Sequence, residues 1–188
     1  MPSTGPSPFA AGVDDATAGM VAWTNPNNAI ASDATFATVH MGDAQTSHYL
    51  QVHNATSLSF PAGAKVVGIV VDIDRKANFN STIVGASRYI NDLSITLVQS
   101  GTHSSDRSTS ALWPTATTRA TFGSPTDTWG LTWTTSQFAT NNFGVDFQAA
   151  CTDDIGSGVT ASVDYVQVTV YYTVGGKLPT AQVFYIGI

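Results

Sequence analysis

From Lys65 to Arg75 the chain alternates with a period of two. Val67, Ile69, Val71 and Ile73 point one way, and Val66, Gly68, Val70, Asp72 and Asp74 the other. An extended strand gathers each set on one face, whereas a helix scatters both around its axis. The aspartates that end the second set mark a face that meets water. The period recurs over Ala18 to Thr24, Thr35 to Met41, His48 to His53 and Asp92 to Gln99, where Leu93, Ile95 and Leu97 are expected inward. In the last long run, Val159 to Thr173, Val166, Val168, Val170 and Tyr172 share a face. Between these runs stand turn signals such as Asn25-Pro26-Asn27-Asn28 and Pro61-Ala62-Gly63-Ala64.

Composition agrees. All 13 acidic residues are Asp, so the good helix former Glu is absent, and charged residues make up only 11% of the chain. Many short strands with almost no helix predict an all-β fold, specifically a two-sheet antiparallel β-sandwich of jelly-roll type. Residues 1–15 read as an extended arm with little to bury, 16–174 as the sandwich domain, and 175–188 as a C-terminal tail. Pro125 to Ala150 reads as strand, short helical cap over Gln137 to Thr140, and strand, with Trp129 and Trp133 on one side of the first strand. The expected core includes Trp23, Trp129, Trp133, Phe143 and Tyr165.

Several chemistries are excluded or left without support. A net charge of −6 provides no basic stripe for nucleic acid. No apolar run is long enough to span a membrane, and the N-terminus lacks a signal-peptide pattern, so a soluble product made in the cytosol is expected. Cys151 is alone, which rules out an internal disulfide and a Cys-type metal cluster. His48 and His53 have opposite parity on one strand, and His40 brings no ligand partner with it, so no metal or cofactor is expected. Asp72 with Asp74, or Asp153 with Asp154, would be the oxygen ligands if calcium bound. No Gly-x-Ser-x-Gly elbow appears, and nothing singles out the carboxylate pair a glycosidase needs, so no enzyme is expected. Trp113, Trp129, Trp133, Tyr171 and Tyr172 are the candidates for a sugar-binding platform, with core packing as the plainer role.

Several phrases taken together resemble a known group. They are Trp23-Thr24-Asn25-Pro26-Asn27-Asn28-Ala29 with Ser32-Asp33, Tyr49-Leu50-Gln51-Val52, and Phe60-Pro61-Ala62-Gly63-Ala64 with Val67-Gly68-Ile69. Asp127-Thr128-Trp129-Gly130-Leu131-Thr132-Trp133, Asn142-Phe143-Gly144-Val145 and Val163 through Tyr172 complete the set. Their order is similar to β-sandwich structural proteins of tailed bacteriophages. The resemblance implies a virion component, made in the host cytoplasm: a capsid decoration (cement) protein, or alternatively a tail or fibre module that binds host carbohydrate. Its partners would be the major capsid protein or other virion proteins, in a homo-oligomer, with a trimer favoured.

The tail lies outside the likeness. Gly175-Gly176 and Pro179 separate it from the last strand, and Val183, Phe184, Tyr185, Ile186 and Ile188 make it apolar and β-prone. Such a segment needs covering, so these residues are expected to dock on a neighbouring subunit. An ordinary edge strand within the monomer is the alternative.

Overall fold

A computed structural model of the chain describes residues 1–139 and 143–175. The described residues are all-β, with antiparallel strands, two short 3-10 turns (Pro26–Ala29 and Thr135–Ala139) and no α-helix. The strands are β1 (Ser3–Asp15), β2 (Ala37–Met41), β3 (Tyr49–Ala55), β4 (Ala64–Ala77), β5 (Arg88–Gln99), β6 (Thr102–His103), β7 (Thr118–Ser124), β8 (Phe143–Asp153) and β9 (Val159–Val174). One hydrogen-bonded path runs β6-β5-β8-β3-β1-β9-β4-β7, with β2 beside β9. The path curls, so that the inward faces of its two halves pack on a single core.

β1 is the joint of the curl. Its later half pairs with β3, from Phe9 opposite Ala55 to Asp15 opposite Tyr49. Its earlier half pairs with β9, with Ser3 opposite Tyr171 and Pro8 opposite Gln167. The expected arm is therefore corrected: residues 3–15 are an internal strand of the sheet. Phe9 is buried and stacks on Phe143, with ring centroids 6.0 Å apart. The prolines hid this strand, because Pro gives the ladder no N–H. Pro8 nonetheless accepts a hydrogen bond from the Thr56 N–H at 3.0 Å.

The alternation of β4 holds from Ile69 to Ile73, where Ile69, Val71 and Ile73 are fully buried. A bulge at Val67 leaves that residue half-buried, against expectation, and turns Val66 to the core instead. Elsewhere bulges move the parity. On β5 the register shifts between Asp92 and Ser94. Ile90 and Asp92 point inward before it, Ile95 and Leu97 after it, and Leu93 is turned out to 42% exposure. On β9 the pairing passes from Tyr165 to Val163, leaving Asp164 as the extra residue. Tyr165, expected in the core, is only half-buried. It stands opposite Asp74 on the solvent face, because the bulge assigns the inward positions to Val163 and Val166.

The segment from Ala18 to Thr24, expected as a strand, makes only isolated bridges from Val21 to Ser47 and from Thr24 to Thr38. Trp23 is buried there, its indole N–H donating to the His48 carbonyl at 2.9 Å. Pro125 to Thr134 is likewise a turn and not a strand, though both of its tryptophans are buried. Trp129 takes a left-handed φ of 58°, capped by Asp127 Oδ1 on its N–H, and its indole N–H donates to the Ile69 carbonyl at 2.9 Å. Gly123 lets the ring pass. Its own φ is 78°, and a Cβ there would stand 2.6 Å from Trp129 Nε1. Trp133, Phe138 and Phe143 form a ring cluster with centroids 4.6 to 5.6 Å apart. Such pairs contribute about 0.5–1.5 kcal/mol each beyond the area they bury.

The expected docking residues Val183, Phe184, Tyr185, Ile186 and Ile188 lie outside the described residues.

Candidate functional site

The residues that suggested chemistry are held apart. His40 meets Thr160 Oγ1 at 3.0 Å, while His48 pairs with Asp14 at 2.9 Å. Asp14 also accepts the Trp23 backbone N–H, so this imidazole closes a structural knot. Asp72 accepts from Thr121 and Gln167, and Asp74 takes a bidentate pair from Arg119 at 2.8 Å. Asp153 is engaged by Arg88 and by the Gly158 N–H, and Asp154 by the Ser87 N–H. Among the described residues no group of three His, Cys, Asp or Glu side chains can hold a metal ion. Cys151 is buried with its thiol directed at the Met41 carbonyl, 3.3 Å away, and burial pushes its pKa up to about 11. It is an inert core thiol.

The aromatic platform is not assembled either. Trp113, Trp129 and Trp133 are all buried. Trp113, at the end of a loop, turns inward because its indole N–H reaches Asp92 at 2.9 Å.

Two surface features stand out, and the sequence indicated neither. The first is at one end of the sheet. The loop of residues 78–87 is tied to the turn after β8. Ser87 N–H donates to Asp154 Oδ2 at 2.8 Å, Asp154 N–H returns the bond to the Ser87 carbonyl, and Arg88 bonds Asp153 and the Gly158 carbonyl. Arg88 also covers the Phe79 ring at 3.7 Å. With their backbones locked, the two loops hold out Phe79, Ile83, Val84 and Ile155, Val84 at 99% exposure. These four exposed apolar side chains, carried on two tied loops, make this end a candidate contact surface.

The second lies on the outer face of the half containing β3, β8 and β5. Paired residues share a face, so the registers set Gln51, Asp146 and Thr96 in one row. His53, Gly144, Val98 and His103 form the next row. Asp146 is at the centre and is 0% exposed, yet neither carboxylate oxygen has a hydrogen-bond partner. His103 Nε2 stands 3.5 Å from Oδ2. The other ring nitrogen of His103 meets Thr96 Oγ1 at 3.0 Å, and its ring leans on Tyr49 at 5.4 Å. His53 Nδ1 is also buried without a partner. Burial pushes the Asp146 carboxyl up to about 6. The Gln51 amide and His103 oppose that rise, and the charge on Asp15 adds to it.

A shallow cleft of about 340 Å³ lies elsewhere, lined by Leu58, Ser59, Phe60, Thr135, Ser136 and Phe138. No helix among the described residues is long and apolar enough to cross a membrane. The chain matches no protein-family model, no curated protein and no solved structure.

Proposed function

We infer that the chain is a bacteriophage virion structural protein, a capsid decoration protein that stabilises the shell by bridging neighbouring capsid subunits. The observation that carries this reading is the apolar end of the sheet, where two mutually tied loops present Phe79, Ile83, Val84 and Ile155. Surfaces already rigid lose little freedom on docking, so more of the burial energy reaches the complex. The phrases that resemble tailed-phage structural proteins suggest which partner this is, the major capsid protein or another virion protein. The same reading takes the curled sheet as a jelly-roll-like two-sheet sandwich, supported by the change of partner along β1. It takes the protein as a non-catalytic homo-oligomer, a trimer by preference, with residues 183–188 as a second contact.

The test is co-sedimentation with empty capsids. Ile83→Asp with Val84→Asp should abolish binding while leaving the melting temperature unchanged, since both side chains face water. Deleting residues 178–188 should leave the domain folded but unable to oligomerise. Wild-type protein that fails to bind capsids sinks the reading. Unfolding on truncation would instead assign the tail to the monomer's own sheet.

A tail or fibre module binding host carbohydrate is the second reading. The cleft beside Phe60 favours it, because ring faces and the hydroxyls of Ser59, Thr135 and Ser136 are the groups that hold neutral sugars. Binding to a glycan array without capsid binding would decide for it.

A further inference from the structure

A carboxylate sealed from water and reached by no donor is costly, by several kcal/mol per ion even after the surroundings relax. Asp146 is such a group. Its raised pKa relieves part of that cost, but at neutral pH the group is still largely ionised. The surroundings compensate only in part. Asp15 adds negative charge, Gln51 is near without reaching hydrogen-bonding geometry, and His103 stops at 3.5 Å with its other nitrogen committed to Thr96. A cation that donates hydrogen bonds is what this arrangement lacks.

We propose that the outer face at Asp146 receives an arginine side chain from a partner protein, with His103 as the cover that the guanidinium displaces. Arginine fits better than lysine because its planar fork can serve both oxygens of Asp146 at once. Its flat face can also lie on the Tyr49 ring once the imidazole has moved. His103 is suited to moving, since its side chain is 39% exposed and it belongs to a two-residue strand at the end of the sheet's path. An anion is excluded by Asp15 and Asp146 together, and a neutral polyol would leave the buried charge uncompensated. The net charge of −6 favours a basic partner overall. This site is distinct from the apolar end, because Asp146 lies near the start of β8 and Asp153, which anchors that end, closes it. It therefore holds whatever particle or surface the protein decorates.

The test is an amide NMR titration of the whole chain with N-acetyl-arginine N-methylamide at constant ionic strength, against the isosteric but neutral citrulline compound. The arginine compound should shift the amides of Gln51, Thr96 and His103, and the citrulline compound should not. Asp146→Asn should remove the effect. His103→Ala should tighten binding by about fivefold, by raising the fraction of sites already open. Equal shifts with citrulline, or with methyl glucoside, overturn the proposal using wild-type protein alone. So does the absence of any shift in both wild type and His103→Ala up to about 50 mM, an affinity too weak to select a partner.

Discussion

The Arg75 guanidinium and the Asp92 carboxylate are ion-paired inside the core, although β4 and β5 are each second from opposite ends of the sheet's path. The contact joins the two halves of the curl across its interior. Asp92 also accepts from the Trp113 indole at 2.9 Å and from Thr109 at 3.1 Å. Arg75 lies over the Trp113 and Phe122 rings, 4.8 and 5.3 Å from their centroids, and burial lowers its pKa to about 10. The bulge that turns Leu93 outward is what lets Asp92 face inward to meet it.

Breaking this pair should be far worse than deleting it. Asp92→Ala leaves a buried guanidinium alone and should destabilise the domain by about 3–5 kcal/mol, whereas Arg75→Met with Asp92→Leu should recover most of that loss. Urea denaturation measures both. A single variant within 1 kcal/mol of wild type would mean that water reaches the pair.

Trp129→Ala and Trp133→Ala should each cost about 3–5 kcal/mol, since both rings are buried and neither site can collapse without moving backbone. Thermal melts check this. Curves superimposable on wild type would show that the turn carrying them is detached from the core.

Asp146 should make the protein more stable in acid than its other carboxylates suggest. Its folded pKa, about 6, lies above the ordinary 3.8, so the folded state holds the proton more tightly than the unfolded chain. Its contribution is therefore most favourable below about pH 4 and is lost as pH rises to about 6, a swing of about 3 kcal/mol. Asp146→Asn removes that swing. The variant should gain stability over wild type at pH 7.5 and little at pH 3.5. An equal difference at both values contradicts the assignment.

On the solvent face the expectation is the reverse. Asp74 and Arg119 make a well-formed bidentate pair, but Arg119 is about half-exposed. Asp74→Ala should change stability by less than about 1 kcal/mol. A larger loss, measured in low and high salt, would require a network through Asp72 and Tyr165.

What could be read from the chain was what depends on period alone. β4 shows it most clearly, because Ile69, Val71 and Ile73 need no partner to declare their face. Where one residue is inserted, the period misleads, and Leu93 reads as inward for that reason. Tyr165 reads as core for its aromatic ring, against the parity of Val166 and Val168. Trp129 and Trp133 reach the core from a turn and not from a strand, and even spacing in a turn says nothing about side. Residues 3–15 escape a reading by period because Pro6 and Pro8, which give the ladder no N–H, mask the strand. The Asp146 site was illegible for a deeper reason. An aspartate between Val145 and Phe147 reads as the wet side of a strand, and only the registers of β3 and β5 show that Gln51 and Thr96 close over it. The four exposed apolar residues at the sheet's end were equally hidden, since hydropathy cannot tell a tip held in water from one that folds back.

β1 also sets the order in which the molecule can be made. Its two partners, β3 and β9, stand far apart along the chain, so a ribosome delivers the seat for residues 9–15 well before the seat for residues 3–8. Until Gln167 to Tyr171 emerge, the opening segment has half its ladder unfilled, and the curl stays open with its valines uncovered. Closure of the curl therefore waits on pairs such as Ser3 with Tyr171, far apart along the chain. Contacts of such long range in sequence make for slow folding, with apolar strand faces uncovered until β9 is in place.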